Sequence, residues 1–179
     1  MSSLVKNMIR FALFILVQVF VLHQVPPLHR FVTPYLYFLF ILWLPFNTRR
    51  GSLMLVALLF GLTLDYFLTT PGLHAAPCVL IAYVRPFVIN MLMQQEGSEQ
   101  NYASPSPTSM GWAPYLVYIV VLTLLHHAYL VFLEWMSLSG ANFWYFLGKV
   151  SATTAVSLVL IIITELLFYR KEKFRTNTA

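Results

Sequence analysis

Two apolar runs, Ser52 to Leu68 and Leu73 to Met93, are joined by the short break Thr69-Thr70-Pro71-Gly72, and each carries one formally charged side chain, Asp65 in the first and Arg85 in the second. Runs of this length match the roughly 20 residues a helix needs to cross a bilayer. A charge at the bilayer centre costs roughly 2.5 to 3.5 kcal/mol on insertion scales, so adjacent helices that keep an acid and a base at such depth are expected to give each a partner. The rest of the chain is read around this hairpin.

Of 179 residues, 59% are hydrophobic and 9% charged, far from the roughly 25% charge of soluble domains. The chain is therefore expected to be an all-α integral membrane protein, one domain over residues 1–179, with room for six spans and short loops. The formal net charge is +5. Because the basic residues gather at span ends and not along a soluble face, topology accounts for them better than nucleic acid does. The single Cys78 lies in an apolar run, which excludes an internal disulfide and a cysteine-based metal site.

Taken in order, the expected spans are Asn7–Val25, Phe31–Phe46, Ser52–Leu68, Leu73–Met93, Trp112–Trp135 and Phe143–Phe168. The first ends at Pro26-Pro27, which cannot continue a helix, and lacks a small-residue cleavage pattern, so it reads as an uncleaved helix. The second is short and aromatic. Residues 94–110 are polar, aperiodic and contain two Ser-Pro steps, which reads as a flexible cytoplasmic loop. Small residues at Ala57-xxx-Gly61, Gly148-xxx-Ala152 and Ser151-xxx-Ala155 would let the third and sixth helices approach closely.

Lysine and arginine set the orientation. Lys6, Arg10, Arg49, Arg50, Arg170, Lys171, Lys173 and Arg175 fall on one side, whereas the opposite loops carry Arg30 alone, so both termini are expected in the cytoplasm of a bacterial inner membrane. The four tryptophans, Trp43 and Trp112 at one face and Trp135 and Trp144 at the other, fall at expected span ends.

Helical rise of about 1.5 Å per residue then places Asp65, His126, His127, Glu134 and Lys149 together in the outer half of the bilayer, with Arg85 nearer the midplane. Asp65 has two readings: an acceptor for backbone N–H groups freed around Thr69 to Gly72, or a partner or ion ligand. Arg85 precedes Pro86, so either a helix break held by packing or a substrate site fits. His127 and Glu134 are seven residues apart on one helix face. Lys149 is expected to snorkel to the outer interface. No metal set with defined spacing is present, no cofactor motif is found, and the sequence motifs of nucleophilic and metal hydrolases are missing, so an intramembrane enzyme built on His127 and Glu134 is the weakest of the readings.

The stretch Gly61-Leu62-Thr63-Leu64-Asp65-Tyr66-Phe67, followed by Thr70-Pro71-Gly72-Leu73-His74-Ala75, resembles the rod shape-determining MreD family. The likeness lies in a glycine, an acid four residues on, a Pro-Gly turn and a small-residue helix start, and extends loosely to length, span count and a polar loop after the fourth span. With Arg85-Pro86 and His126-His127 it looks like the Bacteroidetes form of the family. The resemblance implies a non-enzymatic scaffold of the cell-elongation complex, associated with MreC, the MreB filament and the RodA–transpeptidase wall synthase, and a bundle like the S component of energy-coupling-factor transporters. A small-solute-binding S component is the alternative. Such components usually carry an Ala-xxx-Ala patch on the first helix, whereas Asn7 to Val25 has Ala12 alone.

Overall fold

The structure, a computed structural model, describes residues 3–25, 32–93, 103–137 and 142–168. Helix α1 (Ser3–Leu16) continues as wider π-type turns over Val17–Leu22; then come α2 (Leu39–Leu42), α3 (Arg50–Leu68), α4 (Ala75–Met93), α5 (Pro107–Met110), α6 (Trp112–Ser137) and α7 (Phe143–Leu167). Among the described residues there is no strand. Five helices, Leu4–Leu22, Arg50–Leu68, Ala75–Met93, Trp112–Met136 and Phe143–Leu167, are long and apolar enough to cross a membrane. They are compatible with a multi-pass membrane protein.

The second expected span differs. Phe31 lies outside the described residues, and Val32–Leu36 is extended. A short tight coil follows, centred on the single turn α2, with backbone bonds that span three residues: Leu39 N–H to the Leu36 carbonyl, Phe40 to Tyr37 and Ile41 to Phe38. The physical reason is length. Sixteen residues of helix rise about 24 Å, short of a roughly 30 Å apolar core, and extended backbone covers more distance per residue. Pro34 and Pro45 bracket the coil, and its aromatic residues are modest helix formers.

This coil forms the centre of the molecule. Tyr37, Phe38, Leu39, Ile41 and Leu42 have no exposed surface at all, because a segment apolar on every side must be covered on every side. It runs antiparallel to α1 and its extension, with Gln18 bonded to Leu36 at one end and Arg10 over the Trp43 ring at 5.9 Å at the other, and the Phe11 ring stands edge-on to Phe40 at 5.6 Å and Phe14 to Trp43 at 5.5 Å. The long helices, by contrast, turn leucines and aromatics outward, among them Leu55, Leu59, Phe87 and Leu124. Trp43 is therefore buried in the core, whereas Trp112 and Trp144 are exposed at helix starts.

Helices α3 and α4 pack most closely at Gly61. A Cβ there would collide with the Ala75 Cα and stand 2.8 Å from the Ala75 nitrogen, so glycine is required by backbone contact. The close approach expected between the third and sixth spans is thus made at Gly61 to the start of α4. Thr69 ends α3 in the left-handed conformation (φ 55°), and Gly72 adopts φ 80° in the turn. Pro86 lies inside α4, which continues through it to Met93 without the break that Arg85-Pro86 had suggested.

Part of the expected flexible loop is ordered. Residues 94–102 lie outside the described ones, but Ser106 caps α5 by accepting from the Ser109 N–H at 3.1 Å, while its own N–H donates to Ser109 Oγ at 2.8 Å. The Ser-Pro step here is an N-cap followed by the proline favoured at the first helical position. The segment docks on the central coil's exit, where Phe46 N–H donates to the Ala103 carbonyl at 3.0 Å. Of the two outer turns expected next to α1 and α6, Pro26 to Arg30 and residues 138–141 lie outside the described residues.

Candidate functional site: a buried polar interior

A short helix leaves N–H groups without partners at its start and carbonyls without partners at its end. For a coil buried at both ends no water is at hand, and each such group left unpaired in hydrocarbon costs several kcal/mol. Side chains from other helices supply the partners. At the start, Gln18 of the π-type turns in α1's extension accepts from Leu36 N–H (3.0 Å) and Tyr37 N–H (3.4 Å) through Oε1, and donates through Nε2 to the Pro34 carbonyl at 3.2 Å. Tyr35 N–H donates to Ser157 Oγ of α7 at 3.4 Å. At the end, Tyr118 OH of α6 donates to the Leu42 carbonyl at 2.9 Å, and Arg85 Nη2 of α4 donates to the Leu44 carbonyl.

Arg85 is 1% exposed, and its Nε donates to Tyr118 OH at 2.9 Å. Its charge is met by oxygens of a carbonyl and a phenol, with no ion pair to a carboxylate among the described residues. A guanidinium suits this place because its planar fork offers several donors at once. Below it, the buried Glu165 accepts from Trp43 Nε1 at 2.6 Å and from Tyr115 OH, pinning the coil's last turn to α6 and α7.

Asp65 works differently. Its Oδ1 accepts from His74 N–H (2.8 Å), from the His74 ring Nδ1 (2.9 Å) and from Thr70 Oγ1 (3.2 Å), and its Oδ2 accepts from Ala75 N–H at 3.0 Å. The carboxylate of one helix therefore caps the first turn of the next, where free N–H groups and the helix dipole both favour a negative charge. The expected donors around Thr69 to Gly72 are replaced by those of His74 and Ala75: Thr69 and Thr70 N–H instead bond the Asp65 backbone carbonyl.

The outer-half cluster is divided among separate tasks. His127 donates from Nδ1 to the Thr123 carbonyl (2.8 Å) and meets Ser157 Oγ through Nε2 at 3.2 Å. His126 stacks on Phe38 at 4.5 Å and meets Tyr37 OH through Nε2 at 3.0 Å. Lys149 pairs with Glu134 across α6 and α7, both largely buried. Glu134 and Lys149 are thus brought together, whereas Asp65 and Arg85 keep to different partners at opposite ends of the core.

Among the described residues, no three His, Cys, Asp or Glu side chains converge as ligands of a metal ion. Pro71 and Gly72 are exposed at the hairpin turn. Arg50 lies over the Phe87 ring at 4.4 Å and Arg49 is exposed, while Arg170, Lys171, Lys173 and Arg175 lie outside the described residues. Gln18, Tyr37, His74, Tyr115, Tyr118, Ser157 and Glu165 carry much of the interior yet were not among the residues expected from sequence. The signal for Gln18 and Glu165 was present: each is a lone polar residue in an apolar run. Compared with known proteins, the chain finds no matching family model, no matching curated protein and no matching solved structure.

Proposed function

We propose that this chain is a non-enzymatic membrane scaffold of the MreD kind, a six-passage S-component-like bundle in which the central coil serves as the sixth passage, with both termini in the cytoplasm of a bacterial inner membrane. Its partners on this reading are an MreC-like protein, the MreB filament and the RodA–transpeptidase synthase. The observation that carries the reading is the use of the interior. Gln18, Arg85, Tyr118, Ser157 and Glu165 are engaged in fastening the central coil and Asp65 in closing the hairpin, so the surface left for a partner consists of helix faces and turns. At the α3–α4 turn that surface is aromatic, with Tyr66 81% and Phe67 49% exposed. The hairpin motif around Gly61, Asp65, Pro71 and Gly72 adds the resemblance.

Native mass spectrometry of gently solubilised protein from its source cells tests the proposal. A stoichiometric membrane-protein partner is the expected result, together with rounding of rod-shaped cells on depletion. A stoichiometric small solute with no protein partner would replace the scaffold reading with solute capture.

A further inference from the structure

When the fastenings of the coil and the hairpin cap are accounted for, four buried side-chain atoms have no hydrogen-bond partner among the described residues: His74 Nε2, His126 Nδ1, Thr123 Oγ1 and Thr154 Oγ1. Three belong to one neighbourhood. The rings of His74 and His126 both pack on Tyr37, at 5.4 and 5.3 Å between centroids, and Thr123 lies one helical turn before His126 on α6.

The hydrogen-bond partners decide which nitrogens carry protons. Asp65 also accepts from two backbone N–H groups and so acts as an acceptor, which puts a proton on His74 Nδ1 and, in the neutral ring, leaves Nε2 as a lone pair. At His126, Tyr37 OH meets Nε2 at 3.0 Å and has no other acceptor among the described residues. The phenol therefore donates, and in the neutral ring the remaining proton sits on Nδ1. One orphan is an acceptor, the next is a donor, and the Thr123 hydroxyl can be either.

We infer that His74 Nε2, His126 Nδ1 and Thr123 Oγ1 together bind one small neutral molecule that both donates and accepts, a water. Two to four polar partners are what a buried water requires, and buried polar atoms rarely stay unpaired. With the water in place, a continuous chain of hydrogen bonds runs from Thr70 in the hairpin turn through Asp65, His74, the water and His126 to Tyr37 at the start of the central coil. The hairpin cap and the coil, otherwise fastened independently, become one network.

Magic-angle-spinning NMR of protein labelled with ¹⁵N-histidine, in phospholipid bilayers, reads both parts of the inference. Expected are neutral rings at His74 and His126, each protonated at Nδ1 and not at Nε2, with magnetisation transfer from water to the His126 Nδ1 proton. His126→Phe keeps an aromatic ring on Phe38 but removes one partner of the water, and should shift the His74 Nε2 resonance while Nδ1 stays protonated; if that variant does not fold, the wild-type spectrum decides alone. Unprotonated nitrogen at both orphan positions would overturn the assignment of one acceptor and one donor. So would a protonated His126 Nδ1 that receives no transfer from water.

Discussion

In the α3–α4 hairpin the backbone is bonded along two 19-residue helices, and the Asp65 carboxylate caps the turn between them. Between Val32 and Leu44 the chain makes a few three- and four-residue bonds of its own, and Gln18, Ser157, Tyr118 and Arg85, drawn from four other stretches of the chain, complete it. Both regions are apolar, but the coil is enclosed by the bundle whereas the hairpin turns Leu55, Leu59 and Phe87 outward. The difference is the length of regular helix: a helix that crosses in one piece places its unpaired ends near water, whereas a coil that ends inside must import its caps. Polar residues deep in this protein therefore follow from where helices stop.

The comparison can be broken most severely at Gln18. Gln18→Leu keeps the volume but strands Leu36 N–H, Tyr37 N–H and the Pro34 carbonyl, at about 1 to 3 kcal/mol each, so a loss on the order of 3 kcal/mol or more is expected. Thermal unfolding in detergent would register it, and a midpoint equal to that of the wild type would show that those groups have other partners. In the hairpin the weak point is steric. Gly61→Val drives a side chain into the Ala75 backbone and should cost about 1 to 3 kcal/mol or more by overpacking, visible as reduced yield of monodisperse protein.

The five long helices were legible because an apolar run of 19 to 25 residues has one common meaning. The central coil was not, since unbroken apolarity serves a lipid-facing helix and an enclosed coil equally well: Tyr37-Phe38-Leu39-Phe40-Ile41-Leu42 reads the same in either place. Its shortness and its bracketing prolines were the available hints. For the site, Asp65 and Arg85 stood out by charge. Their partners did not, because a tyrosine hydroxyl or backbone carbonyl at the right depth leaves no periodic trace, and pairing Asp65 with His74 across a turn depends on the left-handed Thr69.

The role of Asp65 sharpens the contrast at smaller cost. Asp65→Asn retains one acceptor oxygen for the start of α4, whereas Asp65→Leu strands His74 and Ala75 N–H, so the leucine variant should be the less stable by about 1 to 3 kcal/mol. Equal losses in thermal unfolding would mean that the charge matters more than the cap. Smallest of all is the Glu134–Lys149 pair, which joins helices already packed along their length. Lys149→Met, which keeps an apolar stem of similar reach, should change stability by no more than about 1 kcal/mol, and a larger drop would give the pair a place beside the coil's caps.

The chain passes from Val32 to Leu44 inside the bundle as extended backbone followed by a short capped coil. Backbone ¹³C chemical shifts of this stretch in lipid bilayers report on it residue by residue. Extended-type shifts over Val32–Leu36 and helical shifts confined to the coil around Leu39–Leu42 are predicted; unbroken helical shifts from Phe31 to Phe46 would contradict the account.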